Sequence, residues 1–312
     1  MGDVNDRRGR KPDDREIGGK INRYINVMIA AIVTTVILPI LVYAGTQDAR
    51  WTAATLAACV LAAVLIGRRA GALDDTYQKM QREKLDFDGI LGEFIQLDSF
   101  DPDGAFTRAE LSHLCPDGGW NAASYKLRGR NRMRGSWKGC RLDSAGVDYY
   151  SESSPDRDGP QVATQLIKGQ VTMLEARTGF PGKLLLIRPA RGYSVTKVTQ
   201  NVLLRQTGLS GMEVRDTSLA ENCWQVFCAS PGNAAALLRA NRAFTERLNR
   251  ASRLQFMLIE PDRVTFCGDY QFETVDYRLG IEATGKACRS AMRALVEEGL
   301  QTVDALREGQ PA

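Results

Sequence analysis

Residues 24–45 read YINVMIAAIVTTVILPILVYAG, and residues 51–67 read WTAATLAACVLAAVLIG. Neither run contains a formally charged side chain, and only residues 46–50 separate them. In a helix rising about 1.5 Å per residue, the first run matches a hydrocarbon core of roughly 30 Å. The second is at the lower limit for a span, a shortfall that local thinning of a bilayer accommodates. Tyr24, Tyr43 and Trp51 lie where interfacial aromatics belong. Pro39 would break a soluble helix but is tolerated in a span whose neighbours re-satisfy the backbone. The alternative is a buried helical hairpin in a soluble core, and two long uncharged runs so close together argue against it. The expectation is a two-helix transmembrane hairpin over residues 21–69.

Charges around the runs set the direction. Residues 1–23 carry seven Lys/Arg and five acids, the turn between the runs holds only Asp48 and Arg50, and the second run exits into Arg68-Arg69. The positive-inside rule places both termini in the cytoplasm, in a multi-pass protein of the cell inner membrane. A cleaved signal peptide fits poorly, because the first run is longer than an h-region, lacks an A-x-A site and is followed at once by a second apolar run. The formal charge of the whole chain is +4, yet residues 70–312 contain 31 basic and 31 acidic groups. The basic excess therefore belongs to the membrane flanks, and no nucleic-acid partner is expected.

Of the 312 residues 44% are hydrophobic, which excludes a disordered or collagen-like chain. Seven cysteines without a C-x-x-C pair do not make a secreted disulfide framework. Residues 1–20 read as a disordered tail and 70–100 as a juxtamembrane amphipathic helix, with Leu73, Tyr77, Met80, Leu91, Phe94 and Ile95 as its apolar points. Residues 101–308 read as a cytoplasmic α+β domain with mainly antiparallel strands. Strands are expected within 123–150, at 162–175 and at 183–188, with a loop at 151–160 and a turn at Phe180-Pro181-Gly182. Ser230-Pro231 supplies an N-cap and first-turn proline for a helix to about 253, with Leu237, Phe244 and Leu248 on its apolar face. A hairpin follows, 254–259 against 263–270 around Glu260-Pro261-Asp262, and a final helix spans 285–307.

The order of these features, with Thr107-x-x-Glu110-Leu111, Phe180-x-Gly182, Trp224-Gln-Val-Phe227-x-x-Ser230 and Ala236-Leu-Leu-Arg239, resembles the bacterial membrane family called domain of unknown function 3137. The resemblance covers about residues 24–280. Where that family usually has Phe-Glu before Val, this chain has Cys223-Trp224-Gln225. The family implies a bacterial, membrane-bound protein and brings no catalytic residues with it.

Four groups of residues invite a chemical reading. Counted from Ser99, Asp101, Asp103 and Glu110 fall at ligand positions of a twelve-residue calcium loop, but the first position is serine and Pro102 interrupts the loop. The structural alternative is a D-P-D-G turn followed by a Thr107/Glu110 capping box. Next, Lys126, Arg128, Arg130, Arg132 and Arg134 recur with period two, so a strand projects them from one face; Lys138 and Arg141 follow. Such a stripe suits anionic lipid headgroups, a solvated sheet face with acidic partners, or phosphate-bearing RNA, the last disfavoured by the scarcity of interleaved aromatics. Zinc would have to draw on His113, Cys115, Cys140, Cys223 and Cys228; in a reducing cytoplasm, buried apolar thiols are the ordinary explanation of these cysteines. Finally, a Ser-His or Cys-His mechanism would have to run through His113, the single histidine. No Walker, G-x-S-x-G, H-E-x-x-H or dinucleotide fingerprint is present, and no cofactor is implied.

The function expected is a membrane-anchored cytoplasmic interaction or scaffold protein. Its partners would be membrane lipids and another membrane or cytoplasmic protein. The alternatives are a tethered small-ligand sensor or enzyme domain, and an accessory transporter subunit.

Overall fold

The computed structural model describes residues 14–115, 125–152, 163–188, 196–214, 219, 224–270, 272 and 281–309. They fall into two compact units that meet in sequence between Leu85 and Asp86. The fold is mixed α+β, built around an eight-stranded antiparallel sheet.

The first unit is a pair of helices, α1 (Asp14–Thr46) and α2 (Ala49–Lys84), packed side by side. They reverse direction over two residues. Gln47 takes a positive φ of 52°, and Asp48 caps α2 by accepting from the Arg50 amide at 2.8 Å. Of the described helices, α2 is long and apolar enough to cross a membrane, and Val33–Thr46 of α1 is a shorter apolar stretch. Two expected boundaries move. Residues 14–20, read as tail, are already helical, whereas 1–13 lie outside the described residues. The separate helix expected over 70–100 does not exist. Instead α2 runs on to Lys84, Leu85 turns extended, and Asp86 accepts from the Gly89 amide at 2.9 Å to open α3 (Phe87–Gly92). The six apolar points are thus shared among two helices and a turn, because a capping aspartate ends one helical frame and begins another.

Strand β1 (Gln96–Asp101) follows, and then a meander of long strands, β2 (Tyr125–Trp137), β3 (Cys140–Glu152) and β4 (Ala163–Leu174). Lys138 (φ 47°) and Gly139 (φ 78°) turn β2 into β3, the positive-φ pair that a two-residue hairpin requires. Strands β5 (Leu184–Ile187) and β6 (Gln225–Cys228), with the hairpin β7 (Leu254–Glu260) and β8 (Arg263–Gly268), complete the order β1-β2-β3-β4-β8-β7-β5-β6. The expected strands at 162–175 and 183–188 and the hairpin about Glu260-Pro261-Asp262 are all present. Of the expected loop at 151–160, residues 153–160 lie outside the described residues.

Register separates the two faces of the sheet. Tyr149, Val147 and Ala145 of β3 share one face with Ile167 and Val171 of β4, Cys267 of β8 and Phe256 of β7. They form the main apolar core with Leu111, Leu114 and Leu203 from the segment after β1 and from α4 (Lys197–Thr207). Ser144, Thr172 and Phe266 lie on the opposite face. There the C-terminal helix covers the sheet: α7 (Ile281–Ala294), a π-helical turn at Leu295–Leu300, and α8 (Gln301–Glu308). Gly299 in the π turn lies directly on the Phe266 ring, and a Cβ there would come within 2.4 Å of it.

The helix expected over 230–253 is two helices, α5 (Pro231–Ala240) and α6 (Arg242–Arg250). Asn241 breaks it. Its Nδ2 donates to the Ala305 and Leu306 carbonyls at 2.8 and 3.1 Å, while its Oδ1 accepts from the Phe244 amide at 3.0 Å. Three bonds to one buried side chain offset the interrupted helical ladder. Ser230 makes no side-chain cap bond; Pro231 alone opens α5. Leu238, rather than Leu237, is the buried leucine of α5.

Candidate functional site

Strand β2 carries the basic stripe, and the structure breaks it in two. Arg130 lies opposite Gly146, but Met133 lies opposite Ser144, so Asn131 and Arg132 together face a single partner residue. This is a β-bulge, and Asn131 sits in it at φ 56°. The extra residue inverts the alternation. Lys126, Arg128 and Arg130 oppose Tyr150, Asp148 and Gly146 on the helix-covered face of the sheet, whereas Arg134 opposes Asp143 on the other. The expectation that all five cations share one face is therefore corrected. Two bonds pin the bulge: the Asn131 amide donates to the Pro102 carbonyl at 2.9 Å, and its Nδ2 to the Phe272 carbonyl at 2.9 Å.

Arg132 is consumed internally. Its Nη2 donates to Glu110 Oε1 at 2.6 Å and Asp143 Oδ2 at 2.7 Å, its Nη1 to the Ala105 carbonyl at 2.9 Å, and its guanidinium lies 4.8 Å from the Phe106 ring centre. Only 10% of the side chain is exposed. The bonds to Asp143 first, and those to Glu110, raise the Arg132 pKa above its ordinary value. Glu110 in turn is held down at about 2, chiefly by the Arg132 hydrogen bond. The remaining cations differ in how they are engaged. Lys126 pairs with Glu152 at 2.6 Å, Arg134 with Asp143 at 3.4 Å and Lys138 with Asp304 at 2.8 Å, while Arg128 lies over the Tyr150 ring.

Glu110 also closes the capping box. It accepts from the Thr107 amide at 2.7 Å, and its own amide donates to Thr107 Oγ1 at 3.3 Å. Asp101 Oδ1 accepts from the Asp103 amide at 3.0 Å, the side-chain bond of an Asx turn. Residues 108–114 form consecutive turns rather than a regular helix. Asp101, Asp103 and Glu110 do not converge, and among the described residues no group of three or more His, Cys, Asp or Glu is placed to hold a metal ion. Cys115, Cys140 and Cys228 are buried; Cys223 lies outside the described residues.

The Glu110 segment forms one wall of a cleft of ≈ 390 Å³, with Phe106, Ser112 and His113 on that wall and Arg141, Asp143, Met173, Glu175 and Arg263 on the sheet. His113 Nε2 lies 3.2 Å from Thr265 Oγ1, and the ring also makes a backbone hydrogen bond to Glu110. Burial, aided by the Arg263 charge, lowers its pKa to about 4. The imidazole is therefore neutral near pH 7, with partners on both sides, which suits it to positioning the wall rather than to accepting a nucleophile's proton.

Sequence reasoning missed the row beneath His113. Arg141 lies 3.9 Å from Glu175; Arg263 donates through Nε and Nη2 to Glu260 at 3.0 and 2.6 Å; Lys183 lies 3.5 Å from Glu260. With Leu174 opposite Val264, Glu175 stands beside Arg263. The row therefore alternates in sign across β3, β4, β8 and β7 to the start of β5. Burial alone would raise the Glu260 pKa, but the Arg263 hydrogen bond and the Arg263, Lys183 and His113 charges lower it overall. These residues are scattered from 141 to 263 in sequence, so only strand pairing reveals the row.

No family model matches the chain. No curated protein matches it, and no solved structure does.

Proposed function

We propose that this chain is a membrane-anchored interaction or scaffold protein of a bacterial inner membrane, with α1 and α2 as a two-span hairpin and both termini in the cytoplasm. The observation that carries the reading is where large apolar side chains lie exposed. Among the described residues, fourteen of the seventeen such side chains fall between Val27 and Leu65, including Leu41 at 61%, Leu61 at 62% and Trp51 at 65%. An apolar belt of that extent is out of place in water and at home in lipid. Polar side chains within it look after themselves: Thr34, Thr46 and Thr55 donate to the carbonyls of Ala30, Val42 and Trp51. Such local back-bonding is what a hydroxyl needs where water is missing. Neither apolar run carries an ionisable group of the kind that marks a conducting pathway, which favours an anchor. The resemblance to domain of unknown function 3137 is compatible with this architecture.

Alkaline extraction of native membranes tests the anchor: the full chain is expected in the pellet, and release into the supernatant overturns the reading. A reporter fused after Ala312 should be active only in the cytoplasm. Crosslinking and mild-detergent co-purification test the scaffold role, which predicts a recurrent stoichiometric partner. Recovery of the chain alone, as a discrete oligomer, favours the second reading. That reading is a tethered small-ligand sensor, and the cleft beside His113 is its motivation. A thermal shift of the detergent-solubilised chain with a metabolite, abolished by Arg263→Ala, would support it.

A further inference from the structure

We infer that the cationic surface which meets anionic lipid is a three-strand patch of Lys126, Arg128, Arg130 and Lys168, and that Arg132 and Arg134 take no part in it. The inference rests on the membrane-anchored reading and names the surface through which the sheet domain touches the bilayer. Cross-strand register assembles the patch. Arg128 lies opposite Asp148, which lies opposite Lys168 on the far side of β3. Lys126 begins the adjoining row with Tyr150 and Gln165, and Arg130 begins the next with Gly146 and Gln170. Lys168 is distant from the basic run in sequence, and only the β3–β4 register brings it in.

Three features fit this surface to lipid headgroups. Its cations outnumber its acids, Asp148 and Glu152, and Asp148 is already engaged by the Gln165 amide at 2.6 Å. Lys126, Arg128, Gln165 and Lys168 are exposed, and Arg130 and Lys168 have no ion-pair partner among the described residues. The aromatic at its centre, Tyr150, is only 8% exposed and is covered by Arg128. A base therefore has no open ring to stack on, whereas a phosphate headgroup needs only the charge. The bulge at Asn131 marks the edge of the patch: beyond it the cations are spent on Glu110, Asp143 and Asp304.

The test uses the full chain reconstituted in vesicles, with photoreactive benzoylphenylalanine in place of Gln165 and, as control, in place of Arg242 on α6. Irradiation in vesicles containing phosphatidylglycerol should yield lipid adducts at position 165 and not at 242. Adduct yield should fall about tenfold or more in pure phosphatidylcholine, at high salt, and in the combined Lys126→Ser, Arg128→Ser, Arg130→Ser, Lys168→Ser variant. The single Lys168→Glu change, at an exposed site, should lower it too, while Arg134→Ser should leave it unchanged. Equal yield with and without phosphatidylglycerol overturns the inference, as does an equal loss with Arg134→Ser. Protection of position 165 by added oligouridylate at physiological salt overturns it in favour of nucleic acid. Alkaline extraction of the same vesicles reports on the hairpin separately, because adduct formation at position 165 depends on the patch and the lipid charge whether or not α1 and α2 span the bilayer.

Discussion

The two halves of β2 carry the same kind of side chain at the same spacing and use it in opposite ways. Before Asn131, Lys126 and Arg128 are exposed and Arg130 half-exposed, and among the described residues Lys126 pairs with Glu152 and Arg128 lies over Tyr150. After Asn131, Arg132 is half-buried and held by two carboxylates, a carbonyl and an aromatic ring. One inserted residue makes the difference, because a strand has period two and a single bulge exchanges its faces. Charge periodicity in a sequence thus describes a surface only where the backbone keeps count.

The sharpest way to break the comparison is Arg132→Ala. It leaves Glu110 and Asp143 without their shared cation at a site where only 10% of the arginine side chain reaches solvent. Removing one partner of a fully buried ion pair costs about 3–5 kcal/mol. Here 36% of the Glu110 and 25% of the Asp143 side chain stay in solvent, so the expected loss is about 2–3 kcal/mol. Denaturant titration of the detergent-solubilised chain should show a loss of that size. A loss below about 1 kcal/mol would mean that the two halves are energetically alike.

Acid attacks the same wall through a different group. Folded His113 holds a proton only below about 4, against 6.5 for the free side chain. Between those values the unfolded chain binds more protons, so the stability contributed by the neutral ring is complete above 6.5 and is lost as pH falls toward 4. The ceiling is roughly 3 kcal/mol. Glu110, held at about 2 against 4.5, contributes stability that is complete above 4.5 and is lost progressively as pH falls from there toward 2. Two separate acid steps are expected. A His113→Gln variant should lack the first and keep the second, as followed by stability at pH 7, 5 and 3.5.

What the sequence disclosed, and what it hid, follows the range of each signal. The apolar runs, the Glu260-Pro261-Asp262 hairpin and the Thr107/Glu110 box are local, and local rules suffice to find them. Asn241 hid the break between α5 and α6 because its reward comes from Ala305 and Leu306, more than sixty residues away. Asn131 hid the bulge for the same reason: Pro102 and Phe272 hold it. Lys168 and the Arg141–Glu175–Arg263–Glu260–Lys183 row were invisible because strand register, unlike spacing, is written across the chain. The one available hint was Asn131 itself, the residue in the basic run that best tolerates a left-handed backbone.

The bulge can therefore be tested directly. Asn131→Ala places a Cβ-bearing, non-bonding residue at φ 56° and removes the bond to the Phe272 carbonyl. Strain and the lost bond together should cost about 2–3 kcal/mol. Asn131→Gly keeps the backbone and loses only the bond, so it should cost about 1 kcal/mol less than Ala. Equal losses would show that the bond to Phe272, rather than the left-handed conformation, holds the inversion in place.

The smallest effect belongs to the surface half, and it is diagnostic because it is small. Lys126 reaches Glu152 at 2.6 Å, a shorter contact than Arg134 makes with Asp143, yet 49% of the Lys126 side chain is exposed. Distance alone would rank that pair with the Arg132 pairs; solvent ranks it well below them. Water screens the attraction, and fixing a lysine costs rotamer entropy, so Lys126→Ala should change stability by less than about 1 kcal/mol. Added salt should erase most of that difference and reduce the Arg132→Ala loss by a smaller fraction, since partly buried charges are screened much less. A double-mutant cycle of Lys126→Ala with Glu152→Ala, run at low and high salt, measures the coupling itself. A coupling that survives high salt would place Lys126 with Arg132 among the structural cations. It would also remove Lys126 from the charge that the exposed half of β2 has to offer a membrane.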